Sequence, residues 1–420
     1  MPTSDSRTSP TIAAPRLHLR QTFASLRHPN YRLWFAGQLV SLLGTWMQTT
    51  AQGFLVFQLT HSPAYLGYVA FAAGIPTWLF TLFGGVVADR MPRRNLLVIT
   101  QATMMVLAFT LSALTFLGKI QAWHIIALAC LLGIANAFDA PARQSFTLEM
   151  VERQDLANAI ALNGTMFNAA TAIGPAVAGL TYALAGPAWC FAINGVSFLA
   201  VIGALLLMQL RPVTRPSGTQ SALAEVREGL RYVAATDSVR LIITSLGAYS
   251  LIGMGTVALM PAWSVQVLGG DAATNGLLLS ARGAGSLAGA LLIAALAQRK
   301  VKGRLMSLGG IAMGLLLLGF SAVRWLPLSM LMLAGMGWGF MMVVNSANAL
   351  VQMQVPDDLR GRVMAIYTLV FFGLGPVGAL LIGLLAAQIG EVATVAAASL
   401  VLLVYSITLW LARPGLRQMG

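Results

Sequence analysis

Long apolar stretches follow one another along almost the whole chain, separated by short polar and basic segments. Each is long enough to cross a bilayer as a helix rising 1.5 Å per residue. In the first half they fall at roughly 33–58, 64–88, 96–117, 121–141, 158–184 and 187–210. In the second half they fall at roughly 241–267, 273–297, 305–323, 327–351, 362–387 and 392–411. The pattern predicts an all-α membrane protein of twelve spans. It divides into an N-terminal segment 1–32, a six-helix bundle 33–210, a polar linker 211–240, a second bundle 241–411 and a tail 412–420.

The two halves are related. At a constant offset of 209, residues 59–90 and 268–299 share Leu59/Leu268, Gly67/Gly276, Ala72/Ala281, Gly74/Gly283, Leu82/Leu291, Ala88/Ala297 and Arg90/Arg299. Further on, Gly174-Pro175 recurs as Gly375-Pro376. Two similar membrane halves in one chain are the usual build of a secondary transporter, with substrate bound between them.

Composition agrees with the pattern: 57% of residues are hydrophobic, 9% are charged and the mean hydropathy is +0.77. A soluble domain carries about a quarter charged residues. The net charge of +13 invites a nucleic-acid reading, but its distribution is topological. With the N-terminus inside, 23 of the 26 Lys and Arg fall on cytoplasmic segments, Lys119 and Arg324 lie outside, and Arg282 lies within a span. That is the positive-inside pattern, and it puts both termini in the cytoplasm. No nucleic-acid partner is expected. Cys130 and Cys190 both fall inside spans, so no disulfide framework is indicated. The first apolar stretch follows about 30 polar residues without a signal-peptide cleavage pattern. Residues 16–27 alternate basic and apolar positions, as either a membrane-surface segment or a disordered tail would.

Nothing in the chain looks catalytic. A nucleotide-binding Gly-x4-Gly-Lys-Ser/Thr loop, paired intramembrane carboxylates, metal-ligand His/Cys spacing and a Gly-x-Ser-x-Gly elbow are all absent from the sequence. No cofactor or metal is expected. Neutral polarity at helical spacing is present instead. Gln38, Ser41, Thr45, Gln48 and Gln52 form one face of span 1, and Trp338, Asn345, Asn348 and Gln352 one face of span 10. Span 7 adds Ser245, Tyr249 and Thr256. Polar groups are costly against lipid, so these faces point into protein or a cavity. Gln48, Gln52, Tyr249, Trp338, Asn345 and Asn348 are the neutral cavity candidates, with interhelical hydrogen bonding the plainer alternative. Arg282 sits about nine residues, roughly 13 Å of helix rise, from the outer end of span 8. It either binds an anionic part of a substrate or pairs with a polar interhelical group.

Gly85-x3-Asp89-Arg90-x2-Arg93-Arg94 after span 2 resembles the signature loop of the major facilitator superfamily, with Pro92 where Gly is usual. The loop between spans 8 and 9 keeps only its basic part, Arg299-Lys300-x-Lys302-Gly303-Arg304. Within the superfamily, Asn30-Tyr31-Arg32-Leu33-Trp34-Phe35-x2-Gln38, Asp139-Ala-Pro-Ala-Arg143-Gln144 and Val355-Pro-Asp-Asp-Leu-Arg360-Gly-Arg362 resemble the branch of enterobactin-type siderophore exporters and transmembrane secretion effectors.

The resemblance implies a twelve-helix major facilitator fold working by alternating access in a bacterial cytoplasmic membrane, as a monomer. The expected activity is export of small amphipathic or anionic molecules, drug- or siderophore-like. A small-solute importer and a lysophospholipid-type lipid translocator are the alternatives. It further implies that Gly85, Asp89, Arg90, Arg93, Arg94, Asp139 and Arg143 form a gating latch, with Asp139 accepting a charge contact from Arg93. The span 2 ridge Ala73, Thr77, Thr81, Gly85 is then expected against Gly375, Ala379 and Gly383 of span 11. Ala170-x3-Gly174-Pro175-x2-Ala178-Gly179 resembles the exporter motif of span 5, with Ala281, Gly285 and Gly289 as its facing ridge. Pro175, and Pro376 in the repeat, break the helix ladder where rocking is needed. Proton antiport is the drive suggested by analogy. Asp139 is the one acid near a membrane interior, either proton carrier or gating partner, and the family's usual arginine within span 4 and a buried acid in span 1 are missing.

Overall fold

The structure is a computed structural model that describes residues 23–210, 222–296 and 299–419. Residues 16–22 of the basic-apolar segment, linker residues 211–221 and, from the repeat, Ala297 with Gln298 after it lie outside the described residues. The first six long helices are α1 Pro29–Thr60, α2 Pro63–Arg90, α3 Arg93–Phe116, α4 Ala122–Met150, α5 Leu156–Ala185 and α6 Pro187–Leu207. The next six are α7 Asp237–Val257, α8 Ala272–Ala295, α9 Lys302–Ala322, α10 Leu326–Gln354, α11 Asp357–Ile389 and α12 Glu391–Ala412. A linker helix, Ala222–Ala235, precedes α7, and a short helix, Pro414–Gln418, ends the described chain.

Ten of the twelve are long and apolar enough to cross a membrane by length and composition, counting α7 with its continuation to Val267. The other two, α1 and α5, are 32 and 30 residues long. Both carry polar residues along their length, Gln38, Gln48 and Gln52 in α1 and Asn158, Asn163 and Asn168 in α5. The helices start and stop where the backbone chemistry directs. Pro29, Pro63 and Pro187 open α1, α2 and α6 at the first position, where the missing N–H costs nothing. Gly186 and Gly390, with φ of 88° and 83°, end α5 and α11 at equivalent places in the repeat.

Helix α4 runs to Met150, nine residues past its apolar stretch, with Pro141 inside it. Hydropathy marks only the part in hydrocarbon, and the remainder is helix stabilised by contacts with its neighbours. Trp123, Trp189 and Trp325 stand exposed at the starts of α4, α6 and α10, all at the same end. Such amphipathic rings suit a membrane interface. We call the end carrying the α2–α3 loop the basic end and the opposite one the far end.

Helices α1–α6 pack mainly on one another, as do α7–α12, and each half has its own buried core. Two seams join the halves, α2 against α11 and α5 against α8. They are built alike. A Cβ on Gly383 would lie 2.8 Å from the Pro63 carbonyl and 3.1 Å from the Gly67 Cα; one on Gly179 would lie 2.6 Å from the Ala272 carbonyl and 3.2 Å from the Gly276 Cα. One step deeper, Gly74 lies against the Pro376 ring and Gly283 against the Thr171 carbonyl. The paired glycines at the 209 offset, Gly67/Gly276 and Gly74/Gly283, are therefore the residues that let the halves touch.

The ridges expected from four-residue spacing pack elsewhere. Gly133 of α4 would place a Cβ 2.3 Å from the Ala73 carbonyl, and the Thr77 hydroxyl donates to the Gly133 carbonyl at 2.9 Å. That α2 ridge is thus spent inside its own bundle. Gly285 and Gly289 likewise press on the Ala334 and Trp338 carbonyls of α10. At 100° per residue, α2 reaches α11 through the neighbouring stripe Gly67, Gly74, Trp78, and α8 reaches α5 through Gly276, Ser280, Gly283. On α11, Ala379 and Gly383 do face α2, whereas Gly375 faces Met254 of α7.

Candidate functional site: a cleft open at the basic end

Contact across the seams belongs to the far half of the molecule. Toward the basic end, Gly85 of α2 and Gly164 of α5 have open space where a Cβ would stand, and the Asp89 side chain is 77% exposed. Among the described residues, hydrogen bonds cross the seams at Trp78 and at Ser280. Trp78 Nε1 of α2 donates to the Leu369 carbonyl of α11 at 3.1 Å, its indole lying over Gly373. The Ala176 N–H of α5 donates to Ser280 Oγ of α8 at 2.8 Å. Pro175 disturbs the helix ladder here, because its ring crowds the carbonyl four residues back, and Ser280 takes up an N–H next to the break. Gly174 beside it fits under Trp46 of α1.

At the basic end of the first bundle the charged residues of the sequence motifs form two groups. Arg93 Nη1 meets Glu149 Oε1 at 2.9 Å, and Arg93 Nη2 lies 3.9 Å from Asp89. Arg94 donates to the Leu206 carbonyl at 2.7 Å, and Arg90 is exposed. Asp139 is buried; its Oδ1 accepts from Thr100 Oγ1 at 2.9 Å and Gln101 Nε2 at 2.8 Å. Its Oδ2 lies 3.3 Å from Arg143 Nε one helical turn on. Arg93 and Asp139 are thus held by other partners in this state, and Glu149, Thr100 and Gln101 complete a cluster the motif did not contain. Nearby, the N-terminal segment is strapped to the start of α5. Ser25 bonds to Asn158, and His28 Nε2 lies 2.8 Å from Asp155. The His28 contact holds the Asp155 carboxyl below its ordinary range.

The polar stripes divide between fully buried packing positions and partly buried ones. Gln48 is buried, and its Oε1 accepts from Asn194 Nδ2 of α6 at 2.7 Å. Tyr249 is fully buried, with its hydroxyl 3.0 Å from Ser406 Oγ of α12. Both are spent on interhelical bonds, and Gln52 is buried as well. Trp338, Asn345 and Asn348 are only partly buried, and Gln352 Nε2 donates to Asn348 Oδ1 at 2.6 Å at the exposed basic end of α10. Asn168 of α5 is also partly buried, a polar residue the sequence stripes did not include. Asn194 was legible as a lone amide in an apolar run; Ser280 gave no signal, since its counterpart at the 209 offset is Phe71.

These placements give a graded expectation. Gln48→Ala should lower the melting temperature of the purified protein through loss of one membrane hydrogen bond, about 0.6–1.7 kcal/mol, and leave the range of transported compounds unchanged. Asn345→Ala should do the reverse, altering that range with little effect on melting.

Comparison with known proteins agrees with this architecture. The family model described as transmembrane secretion effector matches residues 20–418. The multidrug efflux pump Tap of Mycolicibacterium fortuitum is 27% identical over 91% of this chain and 95% of its own. The enterobactin exporter EntS of Shigella flexneri is 25% identical over 93% of each. Among solved structures, the nucleoside transporter NupG superimposes with a TM-score of 0.70 at 14% identity, covering 92% of this chain and 98% of its own. A bacterial homologue of the human lysosomal transporter Spinster, inward-facing and occupied, gives 0.73 at 12%, covering 94% and 98%. Two halves joined at glycine seams, a cleft open on one side and a family match over nearly the whole length lead to one assignment: the chain belongs to the transmembrane secretion effector family of the major facilitator superfamily.

Proposed function

We propose that the protein exports small amphipathic or anionic molecules, drug- or siderophore-like, from the cytoplasm by alternating access. In this reading all twelve long helices cross a bacterial cytoplasmic membrane, both termini and the basic end lie in the cytoplasm, and the single chain is the transport unit. Bundles 33–210 and 241–411 rock about the seams, and the linker helix between them docks on α11 through Glu228 and Arg362, 2.7 Å apart. The observation that carries the reading is the pair of glycine seams closed at the far end while Gly85, Gly164 and Asp89 stand open at the basic end. Such an arrangement receives substrate from the cytoplasm. The export direction is supported by the activities named for Tap and EntS and by the Gly174-Pro175 break at the α5–α8 seam.

The opposite state needs the basic ends of α2 and α11 to meet. Asp89 is the exposed carboxylate at that end of α2, and the start of α11 offers free backbone N–H groups beside Arg360, which in this state is paired with Asp357 of the same first turn. In the outward-facing state Asp89 leaves its long contact with Arg93 and latches there. Asp89→Asn should therefore reduce export several-fold with expression and melting unchanged. Transport equal to wild type would remove the latch.

The reading is tested in cells. Overproduction should lower accumulation of the dyes, drugs and catecholate siderophores the protein carries, and deletion should raise it. Accumulation that rises on overproduction would mean import.

A further inference from the structure

Arg282 is the eleventh of the 24 residues of α8, near the middle of a helix about 36 Å long. The exposed side of that helix carries Leu277, Ala284 and Leu291. Arg282 lies 140–200° around the helix from all three, at about 100° per residue, on the side turned toward the protein interior. The neighbouring faces are taken: Gly276, Ser280 and Gly283 meet α5, while Gly285 and Gly289 meet α10. The Nε of Arg282 is buried and has no hydrogen-bond partner, and among the described residues no carboxylate lies within ion-pair reach. Asp139, the carboxylate that comes nearest to membrane depth, belongs to the other bundle and is held by Arg143, Thr100 and Gln101. The rest of the Arg282 side chain is partly exposed, so a full positive charge sits at membrane depth with no counter-ion among the described residues, an arrangement that is costly unless a bound group completes it.

We infer that Arg282 is a fixed, uncompensated charge that pairs with the anionic group of the exported molecule and makes export responsive to the membrane potential, without a proton carrier. The inference rests on the export reading for its direction. The chemistry it selects is a planar monoanion such as a carboxylate, which the guanidinium fork can grip through two parallel hydrogen bonds. Charge balance fixes the cycle. The loaded protein, Arg282 plus one monoanion, carries no net charge at the site as it turns outward. After release, the empty protein returns with one positive charge, moving from outside access to inside access. An inside-negative potential favours that return, so each cycle carries one negative charge out. A whole charge crossing 100 mV gains about 2.3 kcal/mol, about 50-fold in an equilibrium.

The test needs no known substrate. Cysteines replacing the exposed Gln154 and Met353, in a protein with Cys130→Ser and Cys190→Ser, place fluorophores on the basic ends of the two bundles. The labelled protein is reconstituted in liposomes at equal pH on both sides, and externally facing labels are quenched. A potassium diffusion potential of 100 mV, negative inside, should then raise the ratio of basic-end-open to basic-end-closed molecules by up to about 50-fold. Arg282→Gln should remove the response and Arg282→Lys should retain it. A wild type that ignores the potential, or an Arg282→Gln protein that responds as fully, would overturn the inference. In efflux assays Arg282→Gln should weaken export of anionic compounds more than neutral ones, and equal loss would overturn the recognition step. A protein that responds to potential but exports nothing would instead defeat the export reading alone, so the two failures are distinct.

Discussion

Gly276→Leu is expected to abolish transport while leaving the protein folded. In the state closed at the far end, a Cβ at Gly276 would lie 2.4 Å from the Pro175 carbonyl and 3.0 Å from the Gly179 Cα. Both neighbours are backbone and have no side-chain rotamer to give. Overpacking at such a point costs about 1–3 kcal/mol, and here the cost falls on one state of the cycle. That is about 5- to 150-fold against the closed far end, and more if leucine cannot be seated at all. The core of neither bundle is touched, so expression and melting should stay near wild type. Gly285→Leu supplies the contrast. Its Cβ would meet the Ala334 carbonyl at 1.8 Å within one bundle, so it should lower melting and yield together. Similar melting losses in the two variants would mean that the α5–α8 seam is ordinary core packing.

The second large effect is expected at Asp139. Removing one member of a buried ion pair costs about 3–5 kcal/mol when the other is stranded. Arg143 is 34% exposed and is partly rescued by water, so Asp139→Leu should fall toward the lower figure, enough to depress yield. Asp139→Asn keeps an acceptor for Thr100 and Gln101 and should fold. On the present account it transports more slowly, because the base of α4 is less firmly tied to α3, yet remains driven. Vesicle transport under separately imposed pH and electrical gradients checks this. An Asp139→Asn protein that loses a proton dependence seen in wild type would make Asp139 the proton carrier.

The sequence and the structure agree most closely where the physics is local. Apolar length gave the positions of the long helices, and proline and glycine gave several of their ends, because both signals act within a few residues. Residue spacing was less informative about partners. Ala73 and Thr77 do form a small-residue face, but spacing alone cannot say that the face meets Gly133 of α4 and not α11. The internal repeat carried that information better, since Gly67/Gly276 and Gly74/Gly283 recur where both seams need a missing side chain. The polar stripes were legible as interior faces but not as cavity. A buried amide satisfied by a neighbouring helix, as Gln48 is by Asn194, has the same periodicity as one that meets a substrate. The Asp139 cluster was half legible: Arg143 follows one turn later on the same helix, while Thr100 and Gln101 come from α3 and are brought in by packing.

Export by alternating access is tested most directly by accumulation in inside-out membrane vesicles of a panel of dyes, drugs and a catecholate siderophore, with pH and electrical gradients imposed separately. At least one anionic compound is expected to concentrate inside the vesicles when their interior is positive, with no pH gradient required and none of it in Gly276→Leu vesicles. Concentration only in right-side-out vesicles would contradict it.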